Sequence, residues 1–248
     1  MNKASVEIKN NNITEEILPH FDDYAQNYEK LHAESIKFSG FSPDYFDEHK
    51  IRTLSRILKD DESVKSTFNF LNFGCGIGKS EKFIRQYFPQ ANISSADISE
   101  ESLQIAQKRN INVFGVEYFH FNIVEELDFV GKFDVIFMAN VLHHIPDDLQ
   151  ITTLEYLRKF LKPNGFLYIF EHNPINPVTR RAFSTCEFDQ GCHMIFPWEI
   201  KTMLKSSGYA NIKLNYILFF PKILNGLNPY EKYLKFLPIG AQYYIKTR

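Results

Sequence analysis

The sequence predicts an α/β protein built from βαβ units around a mostly parallel sheet. Three observations carry this. Short apolar strand patterns alternate with amphipathic helices after Lys65. A glycine-rich turn closes the first strand. The last two strand patterns, at about 212–220 and 241–246, have no full crossover helix between them, so one can lie antiparallel at the sheet edge.

Taken in order, the polar start MNKASVEIKNNN lacks the apolar core of a signal peptide. In FDDYAQNYEKLH, Phe21, Tyr24, Ala25, Tyr28 and Leu31 recur at helical spacing. A second helix begins at the N-cap Ser42 with Pro43 in its first position, and it carries Phe46, Leu54, Ile57 and Leu58 on one side. TFNFLNF is the first strand, and the helix after its glycine turn is lined by Ile84, Tyr87 and Phe88. ANISSAD, FGVEYFHF, FDVIFMAN and GFLYIFEH follow as strands. A helix from about Ser99 puts Glu100 and Glu101 in its positive first turn, and another spans about 147–161 before Pro163-Asn164-Gly165 stops it. The long segment 172–197 reads as an irregular rim insertion, and 221–240 as an insertion between the last two strands. The division is a helical cap over 1–64 and a sheet domain over 65–248, together one compact unit.

With 28 basic and 30 acidic residues, no polybasic face for nucleic acid stands out. Three cysteines, Cys75, Cys186 and Cys192, fit a reducing compartment rather than a disulfide framework. No apolar run reaches the length of a membrane span, so a cytoplasmic protein is expected.

The stretch FLNFGCGIGKS decides the ligand class. A phosphate-cradling P-loop needs four residues between its first glycine and Gly-Lys-Ser; Gly74 and Gly78 are separated by three. The dinucleotide fingerprint needs glycine where Lys79 stands. What remains is G-x-G-x-G, a short loop for a ligand without phosphates. Together with Asp97 in SADIS, Asn122 in FHFNIVEELDF, FDVIFMANVLHHIPD and LKPNGFLYIFEH, it resembles the class I S-adenosylmethionine-dependent methyltransferases over residues 21–208. The aromatic N-terminal helix and the LHHI run are similar to the small-molecule and quinone-type members.

The resemblance implies a Rossmann-like, doubly wound seven-stranded sheet, mostly parallel with the last strand antiparallel, under an N-terminal helical lid. It implies S-adenosylmethionine as cofactor and S-adenosylhomocysteine as product. Gly74, Cys75 and Gly76 would pack by backbone against the methionyl and ribose parts, and Asp97 would bind the ribose hydroxyls. Ile98 would cover an adenine face, Asn122 and Ile123 would meet the adenine edge, and Ala139 and Asn140 would face the amino-acid end. Family members usually carry an acid at the position of Asn72, which weakens the expected grip on the cationic methionyl end by on the order of 1 kcal/mol.

The nucleobase-amine signature N/D-P-P-Y/F is absent: its place reads Met138-Ala139-Asn140-Val141. The expected acceptor is therefore an oxygen or carbon of a small molecule, lipid-linked or aromatic among the options. His143, His144 and His172 are candidate general bases, each with a purely structural alternative. Tyr24 and Tyr28 form a lid over the acceptor or are core aromatics, and Arg180 binds an acidic group or sits in a solvated turn. Cys186, Cys192 and His193 lack a familiar zinc spacing, so no metal is expected. The tail from Tyr216, rich in aromatics and leucines with Lys222, Lys232 and Lys235 interspersed, either packs over the sheet edge or serves an apolar acceptor or a membrane surface. The alternative to an enzyme is a non-catalytic binding module that kept the fold, motivated by Asn72.

Overall fold

A computed structural model describes residues 28–59, 67–130 and 132–248. Tyr24 lies outside the described residues, and Tyr28 enters only as the backbone start of the first described helix. Two helices precede the sheet, α1 (Tyr28–Ser35) and α2 (Pro43–Lys59). Strand β1 (Asn69–Phe73) is buried on both faces, as a central parallel strand flanked by helices must be. Strands β2 (Asn92–Asp97), β3 (Val116–His120), β4 (Phe133–Ala139) and β5 (Leu161–His172) follow, and the ladders that join β1 to β5 to one another are parallel. The connecting helices are α3 (Glu81–Tyr87), α4 (Glu100–Arg109) and α5 (Asp147–Phe160). Helix α4 starts where expected because the Ser99 hydroxyl accepts from the Ser102 N–H at 3.0 Å.

The strand order is β3-β2-β1-β4-β5-β7-β6, where β6 is Lys213–Ile217 and β7 is Gln242–Thr247. The last strand is the reversed one, as expected, but it does not lie at the edge. β7 pairs antiparallel with both β5 and β6, and β6 forms the rim of the sheet. Burial explains the placement: Tyr243, Tyr244 and Ile245 are all buried, so β7 needs cover on both faces, whereas β6 begins with exposed Lys213. One apolar layer joins α5 and the helix α7 (Pro197–Ser206) to the sheet through Leu154, Leu157, Ile200 and Leu204. On the other face Ile51 and Leu54 of α2 meet Phe70, Ile84 and Phe137, so α2 shares the core of the sheet.

The rim segment is more ordered than its composition suggested. Pro177–Ser184 is a helix, α6. Asn176 caps it by accepting from the Val178 and Thr179 N–H groups at 2.9 and 3.0 Å, and Pro177 occupies the first turn. Asn-Pro there is a helix start rather than a loop mark.

The 221–240 stretch forms a 3-10 run, Lys222–Tyr230, and a short helix α8 (Glu231–Leu234), with Ile223, Tyr233 and Phe236 exposed. It is tied to α2 by two polar contacts. Asn228 Nδ2 donates to the Tyr45 hydroxyl at 3.0 Å. Glu231 pairs with the buried His49 at 2.9 Å and accepts from the Phe219 N–H at 3.1 Å. Burial alone would raise the Glu231 carboxyl; His49 and the Phe219 and Leu218 N–H groups overcome it and hold its pKa below the ordinary value. A depressed carboxylate contributes stability above its unfolded pKa and loses it as pH falls through the folded one. The Tm gap between wild type and Glu231→Gln should therefore be widest at neutral pH and close on acidification. A gap that persists undiminished to about pH 2 would count against the pairing.

Candidate functional site

The parallel strands β1, β2 and β4 end together at their carboxyl edge, where loops of an open α/β sheet gather ligands. There the turn after β1 is built on three glycines with positive φ: Gly74 at 70°, Gly76 at 52° and Gly78 at 72°. A Cβ on Gly74 would overlap the methyl groups of Val141, so the loop and the strand-end of β4 close on each other only because that side chain is missing. The N–H groups of its first three residues are already used. Gly74 and Cys75 donate to the Ala96 carbonyl at 2.8 and 3.1 Å, and Gly76 donates to Asp97 Oδ2 at 2.6 Å. Those three N–H groups are therefore not spare donors for phosphates. Lys79, which mimics the P-loop lysine in sequence, instead pairs with Asp47 of α2 at 2.8 Å.

All ten residues proposed to contact a cofactor line one cavity of about 450 Å³, within the range of small-molecule sites. Asp97 is 8% exposed and fixed at both oxygens, by Gly76 and by the Ser99 N–H at 2.9 Å, which leaves further lone pairs for a diol. Burial raises its pKa, with the N–H groups of Ser99 and Gly76 opposing. Asn122 stands exposed at the cavity edge beside Ile123. Asn140 has φ 55°, and its Oδ1 is buried without a hydrogen-bond partner. An orphaned acceptor of this kind costs free energy until a donor arrives, and a ligand ammonium is a suitable donor.

The missing acid at Asn72 has a counterpart in the fold. Asn72 Nδ2 donates to Glu81 Oε1 at 3.0 Å, and the same oxygen accepts from the Ser95 hydroxyl at 2.8 Å. Glu81 is fully buried, which pushes its carboxyl up. With its NH₂ held by Glu81, Asn72 presents a carbonyl rather than a charge. The acid stands one residue behind the wall. Sequence reasoning also missed α2's contribution: Asp47 and Lys50 line the cavity together with Lys79, and Lys50 is 3% exposed with Asp47 at 3.6 Å. No motif marks these residues, because α2 comes to the cavity by packing on α3.

The other end of the cavity is bounded by His144, Ile145, Pro146, Leu149 and Phe188. Of the three candidate bases only His144 lines it. His143 is buried, with Nδ1 at 2.7 Å from Glu171 Oε2 and Nε2 at 3.4 Å from Asp189. Burial alone would lower the His143 pKa, but these two carboxylates outweigh it and hold it at about 10, so the imidazole has no lone pair for a proton. His172 goes the other way. Burial and the neighbouring His143 lower it to about 4, and it does not line the cavity. Arg180 lies exposed on α6 away from the cavity lining, because the rim folds as a helix that turns it to solvent. Residues 221–240 are not among those that line this cavity.

Comparison with known proteins agrees with this geometry. A family model described as a methyltransferase domain matches residues 71–167. A malonyl-[acyl-carrier protein] O-methyltransferase from Halalkalibacterium halodurans is 28% identical over 62% of this chain and 54% of its own length. A ubiquinone biosynthesis O-methyltransferase from Pseudomonas aeruginosa is 26% identical over 58% of this chain and 65% of its own. The chain thus spans between half and two thirds of the length of these two curated relatives. In structure it is similar to the plantazolicin methyltransferase BpumL, with a TM-score of 0.66, 15% identity and 98% of both chains covered. A methyltransferase from Archaeoglobus fulgidus gives 0.64 at 14% identity, covering 89% of this chain and 99% of that one. At such identity the structural likeness speaks for the fold. No described helix is long and apolar enough to cross a membrane.

Proposed function

We propose, of a chain that belongs to the class I S-adenosylmethionine-dependent methyltransferases, that it transfers a methyl group to an oxygen of a small acceptor with an apolar body. One observation carries this: the glycine loop, Asp97 and Asn140 line the same cavity as His144 and the apolar wall of Ile145, Leu149 and Phe188. S-adenosylmethionine bound there supplies an already activated methyl group. The chain's own residues supply position, which is the main demand of an in-line displacement. Asp97 holds the ribose, Asn72 and Asn140 offer carbonyl acceptors to the ammonium, and Lys50 or Lys79 can meet the carboxylate. Oxygen is favoured over carbon by the two O-methyltransferases among the relatives and by an imidazole at the acceptor end, where a hydroxyl has to lose its proton.

Calorimetry with S-adenosylhomocysteine tests the reading. The expected result is one site per chain with a dissociation constant in the micromolar range, roughly −8 kcal/mol. Absence of binding at millimolar ligand would sink it. Binding with no methyl transfer to any hydroxylated apolar acceptor would favour a non-catalytic descendant of the fold.

A further inference from the structure

Beside the cavity, the histidines after β4 and the rim loop form a cluster that methyl transfer alone does not require. His143 and His144 stack with ring centroids 4.1 Å apart. Their Nε2 atoms approach the same oxygen, Asp189 Oδ1, at 3.4 and 3.5 Å. Those separations are long for hydrogen bonds. They match the edge of a coordination tetrahedron: donors about 2.0–2.1 Å from a zinc-like ion lie about 3.4 Å from one another.

The far side of each ring is held as well. Glu171 Oε2 meets His143 Nδ1 at 2.7 Å, and Cys192 Sγ meets His144 Nδ1 at 3.2 Å. Contacts of this kind fix the ring orientation and direct the opposite nitrogen inward, as outer-shell partners of metal ligands do. The three donor side chains are 1%, 8% and 10% exposed, and Phe183 and Phe188 pack edge-on against the two rings. Two carboxylates and two imidazoles in a nearly dry site call for positive charge.

We propose that His143 Nε2, His144 Nε2 and Asp189 Oδ1 bind a divalent transition ion, zinc or a similarly borderline-soft cation. Magnesium, which prefers an octahedron of oxygens, does not suit two imidazoles. Because His144 and Phe188 line the cavity, the ion stands at its wall and has a fourth position for an acceptor oxygen. Held by these residues, such an ion would lower the pKa of an acceptor hydroxyl, whose proton would pass to water; the oxygen would then form its bond to the methyl carbon as the sulfonium S–CH₃ bond breaks, so the ion would do the work otherwise left to a base. This last role rests on the methyltransferase reading; the ion site does not. Cys186 and His193, the residues that drew attention in the sequence, are outside the donor set, and His193 is exposed.

The test is cobalt(II) titration of the full chain without cofactor, read by visible absorption, with zinc displacing the cobalt. One equivalent with the bands of a four- or five-coordinate nitrogen–oxygen site is expected. Asp189→Ala and His144→Ala, each checked for folding by thermal denaturation, should weaken zinc binding at least tenfold, while Cys192→Ser changes it by less than about tenfold. Failure to bind one equivalent, a sulfur-to-cobalt charge-transfer band, or an affinity unchanged in both ligand variants overturns the proposal. Calorimetry with S-adenosylhomocysteine on the same samples keeps the two readings apart. Cofactor binding without ion binding defeats this inference alone, and ion binding without cofactor binding defeats the methyltransferase reading alone.

Discussion

Asp97→Ala is expected to weaken S-adenosylhomocysteine binding by on the order of 100-fold while the protein remains folded. Two charge-assisted hydrogen bonds to a ribose diol are worth roughly 1.5–3 kcal/mol each, and one tenfold step corresponds to about 1.4 kcal/mol. The same substitution strips Gly76 of its acceptor, so the loop loses part of its preset shape. Asp97→Asn separates the two effects. Its single carbonyl oxygen can accept from Gly76 or from Ser99 but not from both, and it carries no charge; an intermediate loss of roughly tenfold is expected. The ionised carboxylate is the binding form and its pKa is raised, so affinity should fall on acidification sooner than for an ordinary aspartate. Calorimetry decides: an unchanged dissociation constant in Asp97→Ala removes the residue from the site.

The second large effect falls on stability. Gly78→Ala combines a left-handed φ of 72° with a Cβ 2.6 Å from Asn110 Nδ2 and 2.8 Å from Ala106 Cα. The Asn110 amide cannot simply swing aside, because it donates to the Gly78 carbonyl at 2.8 Å and to the Ala106 carbonyl at 3.0 Å. The backbone term costs roughly 1–2 kcal/mol and the overpacking another 1–3. About 3 kcal/mol is a large share of the stability of an ordinary domain and lowers Tm by roughly 6–12 °C at this size. Gly76→Ala is the control. Its φ is 52° and nothing lies within 4 Å of the added carbon, so only the backbone term applies. Equal melting shifts for the two variants would mean that the contact with α4 is not what requires Gly78.

Much of this was legible in the chain because its signals are local. The Ser99 cap, Pro43 at a first helical turn and the spacing from Gly74 to Asp97 each report on a few neighbouring residues, and the site residues drawn from the strand ends line one cavity. What stayed hidden depends on packing across the fold. Nothing in the α2 pattern says that Asp47 and Lys50 reach the glycine loop, since that follows from α2 lying on α3. The Glu81 carboxylate behind Asn72 belongs to a different element, and no spacing rule connects an amide on a strand to an acid on the next helix. The histidine run LHH announces itself, yet only Glu171, 28 residues beyond His143 and 2.7 Å from its Nδ1, separates the roles of His143 and His144. The two readings of Arg180, anion contact or solvated turn, stay open in the sequence for a simpler reason: an Asn-Pro pair in a polar stretch marks a loop and a helix start equally well.

The position of β7 constrains how the sheet can be assembled. β6 is made before β7, yet every ladder bond it has in the sheet is to β7. As the chain emerges from the ribosome, β1 to β5 can pair with one another in turn, but β6 has no docking partner until 242–247 have arrived. During that interval β5 presents an open edge to its surroundings, and an open edge is where foreign strands add. Loss of the six residues of β7 would thus uncouple two strands rather than one, and would expose the flank of β5 next to His143 and Glu171.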